Sequence, residues 1–185
     1  MDAGGNLLVL GESGIGKTTL LHLMAGLLKP DAGKVELMGS ILHELPPAKL
    51  DRFRGRHIGL VFQRPHFIQA LSLEENLALV QYLAGKEQDK DHIKEVLSGL
   101  GIGHKLREKP HSMSQGEQQR ASIALAVINR PQLILADEPT SSLDDKNCQK
   151  AADLLKEQAA ASGAQLVIIT HDQRLKDQFQ NTVTL

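Results

Sequence analysis

The segment "LLVLGESGIGKTTLLHLM" (7–24) constrains this chain more than any other. "LLVL" is too short for a helix and lacks polar alternation, so it reads as a strand covered on both faces. A glycine-rich loop follows it directly, and a helical pattern from Lys17 to Leu27 follows the loop. Gly11, Gly16, Lys17 and Thr18 fill the spacing G-x-x-x-x-G-K-[ST] in the strand–loop–helix context that this pattern requires. Glycines let backbone N–H groups approach an anion closely, and the helix N-terminus adds a favourable dipole. The loop residues Gly11, Glu12, Ser13, Gly14, Ile15, Gly16, Lys17, Thr18 and Thr19 are therefore candidates for holding a nucleotide's phosphates. Lys17 would face the β- and γ-phosphates, and the Thr18 hydroxyl would ligate Mg²⁺. An ordinary strand-to-helix turn with a surface lysine would leave the completed spacing unexplained.

Three more apolar runs, "IGLVF" (58–62), "LILA" (133–136) and "LVIIT" (166–170), have the same unalternating character, and "TVTL" (182–185) reads as a final strand. Helical patterns fall at Leu73–Leu83, Asp91–Leu100, Ser114–Asn129 and Asp145–Ala161, the last two stopped by Pro131 and Gly163. Strands alternating with helices predict a parallel α/β sheet. From about Pro65 to Pro110 the alternation breaks into consecutive helical patterns, which reads as a helical insertion beside the sheet. Ser72 with Glu75 forms a capping-box start for its first helix. The 185 residues fit one domain with a single sizeable core.

Lys and Arg total 21 against 22 Asp and Glu, so no global basic field points to nucleic acid or anionic lipid. No apolar run approaches the ~20 residues of a membrane-spanning helix, and "MDAGGNLLVL" lacks the basic start of a signal peptide. Cys148 is the single cysteine and shares an apolar stripe with Ala151, Ala152 and Leu155, the setting of a buried core thiol.

"LILADEPT" (133–140) ends an apolar strand in two adjacent carboxylates, which alternation sends in different directions. Beside a complete phosphate loop, Asp137 is placed to hold Mg²⁺ and Glu138 to orient or deprotonate an attacking water.

These motifs form an ordered set: "GESGIGKTT", Gln63 after "IGLVF", "MSQGEQQR" (113–120), "LILADE", "SSLD" (141–144) and "THD" (170–172). In that order and spacing the chain resembles the ATP-binding subunit of an ABC transporter. The likeness extends over nearly all of it, and "IGLVFQRPHFIQALSLEENLALV" and "SQGEQQRASIALAVINRPQLILADEPTSSLD" are most similar to lipoprotein-releasing and macrolide-export type ATPases. The resemblance implies a P-loop NTPase fold: an α/β domain with a mostly parallel sheet flanked by helices, a helical subdomain over about 65–130 that includes the signature helix, and a truncated antiparallel β subdomain. It implies catalytic roles for Glu138, His171 and Gln63, and Mg²⁺ held by Thr18, Gln63 and Asp137. It further implies that ATP is sandwiched head to tail between two copies, with Ser114, Gln115, Gly116, Glu117 and Asp144 contacting the nucleotide held by the partner. The implied partners are a second copy and transmembrane permease subunits, with no nucleic acid, and the implied location is cytoplasmic, peripheral on the cytoplasmic face of the inner membrane. The physics of "MSQGEQQR" agrees, because Ser114 with Glu117 caps a helix whose N-terminus suits a phosphate.

The chain departs from the family pattern in two places. Met113 and Gln115 stand where Leu and Gly are usual, and Gln115 would weaken a closed dimer if a positive φ were required there. Only ten residues precede Gly11, fewer than the family's upstream antiparallel strands and adenine-stacking aromatic occupy, so a clipped cassette with weak adenine selectivity is expected. An apolar groove near Phe67, Ile68 and Leu71 is a candidate contact for the membrane subunits, and the same three residues equally suit the core of the insertion. The alternative function is a degenerate or truncated nucleotide-binding module with a regulatory or structural role. A soluble ABC ATPase of DNA repair or translation would need a long coiled coil or a second cassette, and a small-molecule kinase would not need "SQGEQQR" or "SSLD".

Overall fold

The computed structural model describes residues 5–141 and 143–185, with the side chain of Lys146 outside that description. Ser142 of "SSLD" and the first four residues therefore lie outside the described residues. In chain order the elements are β1 (Asn6–Leu10), α1 (Lys17–Met24), β2 (Glu36–Leu37), β3 (Ser40–Ile41), α2 (Pro47–His57) and β4 (Ile58–Val61). They continue with α3 (Leu73–Leu83), α4 (Lys90–Gly99), α5 (Gln115–Val127), β5 (Leu133–Asp137), α6 (Asp145–Ser162), β6 (Gln165–Thr170) and β7 (Asn181–Thr184).

The main sheet has the order β4-β5-β6-β1-β7, and every pairing in it is parallel. The lack of polar alternation in its strands is explained by what lies on each face. Leu8, Leu10, Ile134, Ala136, Leu166 and Ile168 enter a core shared with α3 to α6. Their neighbours Val9, Leu133, Leu135, Val167 and Ile169 enter a second cluster with Leu21 and Ala25 of α1 and its C-terminal cap. Successive residues of β1, β5 and β6 thus go to opposite faces and both faces are covered, so the middle of each of these strands is apolar without alternation. Because the strands are parallel, their C-terminal ends gather on one edge. That edge carries the loop before α1, the carboxylates after β5 and His171 after β6.

The helical layer sits close to the sheet at one point. A Cβ on Gly59 of β4 would lie 2.3 Å from the Ala126 carbonyl oxygen, so only glycine lets α5 approach this strand. Asn129, just after α5, donates to the Gly55 and Val80 carbonyls and ties α2 and α3 to the same layer.

Several boundaries differ from the sequence reading. Helix α1 stops at Met24 rather than Leu27, because Gly26 adopts φ 64 and turns the chain away. Helix α2 was not anticipated: none of its residues is buried, so it has no apolar periodicity to read, although Pro47 at its first turn is a standard start. Strands β2 and β3 form the antiparallel pair of the smaller sheet, joined through Met38 at φ 51 and Gly39 at φ 73, the two positive φ values of a tight hairpin turn. "TVTL" does belong to a strand, which pairs with β1 at the edge of the sheet.

Candidate nucleotide site

The loop after β1 is built to leave a concave backbone surface. Gly14 and Gly16 adopt φ 86 and φ 103, and a Cβ on either would meet nothing within 4 Å. The space above them is open, and the conformation itself selects glycine. Gly16 is the N-cap of α1 and supplies no side-chain cap, so the donors of that helix end are not claimed by a capping side chain. Lys17 is buried and curls back, its Nζ donating to the carbonyls of Gly11 and Glu12 at 2.9 Å each. Glu12 and Gly11 therefore hold the lysine through their main chain, while the Ile15 side chain is exposed.

A cleft of about 320 Å³ opens over this loop, lined on the loop side by Ser13, Gly14, Gly16, Lys17, Thr18 and Thr19. Its far wall is Gln63, Glu138 and His171, so all three expected catalytic side chains reach one space. Gln63 donates to the Ser141 hydroxyl at 3.1 Å, which anchors the segment after β4 to the turn after β5.

The two carboxylates at the end of β5 part company, Asp137 as the last residue of the strand and Glu138 just beyond it. Asp137 is buried and accepts a hydrogen bond from the Thr18 hydroxyl at 3.1 Å, while its Oδ1 is buried without a hydrogen-bond partner. Burial pushes its carboxyl pKa up, against the opposing Thr18 hydrogen bond. An unsatisfied anionic oxygen beside a hydroxyl is a fitting pair of ligands for Mg²⁺, which takes one or two protein ligands and completes its shell with phosphate oxygens and water. Among the described residues no group of three or more His, Cys, Asp or Glu could hold a metal ion by itself.

Glu138 is set differently. Its N–H donates to the Ile169 carbonyl, extending the β5–β6 ladder, but its φ of 48 breaks the strand and turns the side chain across to the end of β6. There Oε2 accepts from the Thr170 hydroxyl at 2.7 Å, and Oε1 accepts from the His171 N–H at 3.1 Å and pairs with His171 Nδ1 at 2.8 Å. Lys17 Nζ lies 3.5 Å from the same Oε1. An ionised carboxylate only accepts, so this contact places a proton on His171 Nδ1 and leaves Nε2 facing away from Glu138. Thr170 has no role predicted from "THD", yet it is buried and fixes Glu138.

None of the five signature-side residues lines this cleft. Ser114 caps α5 with a reciprocal box: its Oγ accepts from the Glu117 N–H, and Glu117 Oε2 accepts from the Ser114 N–H at 2.8 Å. These bonds pull the Glu117 carboxyl pKa down to about 2, with Lys105 adding a smaller push. Gln115 and Gly116 open instead onto a groove of about 650 Å³ shared with Asp144, which caps α6 by accepting from the Asn147 N–H. Among the described residues the non-glycine positive φ values are at Met38, Arg130 and Glu138, so Gln115 needs no glycine-only backbone.

Known proteins are similar to this chain in sequence and in shape. The family described as "ABC transporter" matches residues 1–141. The lipoprotein-releasing system ATP-binding protein LolD of Shewanella sp. (strain MR-7) is 38% identical over 184 residues, spanning 98% of this chain and 80% of that protein. The chain belongs to the ABC transporter family. LolD of Chromohalobacter salexigens is 40% identical over 172 residues, spanning 92% of this chain and 73% of its own. The dimeric post-hydrolysis structure of an ATP-binding cassette bound to ADP and Pi superposes with a TM-score of 0.87 at 32% identity, over 100% of this chain and 82% of that one. This ABC cassette is thus a nucleotide-binding ATPase of a transport system, of a kind that works as a dimer. Among its described residues no helix is long and apolar enough to cross a membrane.

An apolar groove lies beside the turn that carries Phe67, Ile68 and Leu71, and the Ile68 side chain is exposed. The apolar groove, about 480 Å³, is lined by Phe62, Pro65, His66, Val80, Leu83 and Leu125 among others, and not by Phe67, Ile68 or Leu71. Phe67 packs on the core, and the buried Asn76 side chain binds the backbone of Ile68 and Leu71, so this turn is tied down as structure. Cys148 is buried as expected, and burial raises its thiol pKa.

Proposed function

We propose that this chain is the ATPase subunit of a lipoprotein-releasing transporter, hydrolysing MgATP at two sites shared head to tail between two copies and working at the cytoplasmic face of a membrane beside permease subunits. The substrate class rests on the LolD relatives, and the chemistry on the cleft. The observation that carries the reading is Glu138, held by Thr170 and His171 at the lip of the phosphate loop and 3.5 Å from Lys17.

In this reading Lys17 leaves the Gly11 and Glu12 carbonyls to meet the β- and γ-phosphates, and the uncapped N-terminus of α1 receives the same anion. Mg²⁺ bound by the Thr18 hydroxyl and the free oxygen of Asp137 would neutralise phosphate charge. Glu138 orients the water that attacks the γ-phosphorus and accepts its proton, while His171 steadies the carboxylate and offers its outer edge to the γ-phosphate. Gln63, bonded to Ser141, is placed to report the state of the cleft to the neighbouring α3 region and to a permease seated in the apolar groove. Ser114 to Glu117 and Asp144 act on the partner's nucleotide, which accounts for their lying outside their own chain's cleft.

Glu138→Gln, given ATP and Mg²⁺, is expected to accumulate as a dimer by light scattering, since binding remains and turnover is blocked. A monomer with verified nucleotide binding would sink the shared-site reading and favour a nucleotide-binding module without closure.

A further inference from the structure

The Arg174 side chain spans two segments that the chemistry needs to hold in register. Its Nε and Nη2 donate to the two oxygens of Asp172, at 2.8 and 2.7 Å. Its Nη1 reaches across to the Leu143 carbonyl at 3.2 Å and to Asp145 Oδ1 at 2.6 Å, at the start of α6. Asp172 is itself buried and accepts from the Thr140 hydroxyl at 3.0 Å. The Asp172 N–H donates to Thr170 Oγ1 at 3.0 Å, and that same hydroxyl donates to Glu138 Oε2 at 2.7 Å. A continuous set of hydrogen bonds therefore runs from the Glu138 carboxylate through Thr170 and Asp172 to Arg174, and from there to residues 143–145.

We infer that Arg174 is a positioning residue, clamping the loop that carries His171 to the turn between β5 and α6 so that Glu138 is held at its working distance from the phosphate loop. The inference rests on the ATPase reading above and adds to it a residue remote from the cleft lining. The fork is what the task requires. One planar guanidinium serves Asp172 with two donors while a third faces Leu143 and Asp145, whereas a lysine ammonium could hold Asp172 but not span to both. The guanidinium also keeps the Asp172 carboxyl well below the usual carboxylate range, so that the buried acceptor stays charged. A simple structural tie would need only the cation on Asp172; a clamp needs the reach to the far segment.

The test compares Arg174→Ala and Arg174→Lys with the unsubstituted full chain, reading phosphate release against ATP concentration and Tm. For the alanine variant kcat is expected to fall about tenfold with KM within about twofold, since misplacement weakens the transition state more than binding. The lysine variant should recover most of the Tm yet keep most of the kcat loss. Asp145→Asn should lower kcat more mildly, and combining it with Arg174→Lys should add little. Both Arg174 variants turning over within about twofold of the parent would overturn the clamp. So would a lysine variant that regains kcat together with Tm, which would leave Arg174 a structural tie, or a loss confined to KM. An unsubstituted chain without phosphate release above background would instead overturn the ATPase reading, and the clamp with it.

Discussion

In the proposed cycle two helix N-termini of this chain meet phosphate, and they are finished in opposite ways. The start of α1 has a glycine at φ 103 as its N-cap and no side-chain cap, and its own lysine is parked on nearby carbonyls. The start of α5 carries a serine cap, a reciprocal glutamate and, close by, Lys105 at 3.4 Å and His104 at 3.5 Å from Glu117. A helix end with no side-chain cap and a lysine at its first turn can hold an anion. A helix end already answered by its own carboxylate is stable without ligand and can only complete a site that other groups have begun. The pairing of one open end with one finished end fits the proposed site divided between two copies.

Breaking the open end should have the larger consequence. Lys17→Ala is expected to lower kcat for phosphate release by about 10²–10³-fold, the usual loss when one group aimed at developing charge is removed. Ser114→Ala should cost roughly 1 kcal/mol of stability through the lost cap, visible as a lower Tm. The comparison becomes sharp when the two variants are mixed. If Ser114→Ala also lowers turnover, and each site takes its phosphate loop from one copy and its Ser114 from the other, mixed dimers contain one intact site, and phosphate release should exceed the sum of the parents. A mixture no better than its parents would show that the α5 terminus does not complete the other copy's site.

The two ends also differ in how they answer to acid. Glu117 has its carboxyl pKa lowered from 4.5 to about 2, chiefly by hydrogen bonds from the Ser114 backbone and hydroxyl. A pKa depressed in the folded state adds stability that is full above the unfolded value and vanishes as pH falls through the folded one. The Tm advantage of the parent over Glu117→Ala should therefore be constant above about pH 5 and close between 4.5 and about 2. An advantage that stays constant down to pH 2 would mean that the box is held by packing rather than by the charged carboxylate.

What could be read in advance follows the range of the forces involved. The strands were legible because both faces of the sheet are covered, which leaves an unbroken apolar run. The capping boxes at Ser72 and Ser114 were legible because both partners lie three residues apart. The burial of Cys148 followed from its helical stripe. Helix α2 was invisible because it buries no residue and so carries no periodic signal. The fastening of the cleft was invisible for another reason: Gln63 meets Ser141, Glu138 meets Thr170 and Arg174 meets Asp145 only because parallel strands bring their ends to one edge. The left-handed backbone at Glu138 is likewise imposed by the β6 end it must reach, since nothing in "ADEPT" requires a positive φ.

The smallest effect is expected at Gln115, one of the positions where the chain departs from the usual signature. Gln115 replaces a glycine beside the signature serine, and the concern was that only glycine could take the backbone required there. The backbone answers that concern, because Gln115 is the first residue of a regular helix and is absent from the non-glycine positive φ values among the described residues. Its side chain opens onto the groove shared with Asp144 rather than onto its own chain's phosphate loop. Gln115→Gly should therefore gain nothing from conformational freedom and lose up to about 1 kcal/mol of helix stability, less if the first turn tolerates glycine as caps do. Turnover and the ATP-dependent dimer of the Glu138→Gln background should stay within about twofold of the parent, roughly 0.4 kcal/mol. A large gain in dimer affinity would instead mean that the amide obstructs the partner's phosphate, and the finished helix end would then be a hindered one.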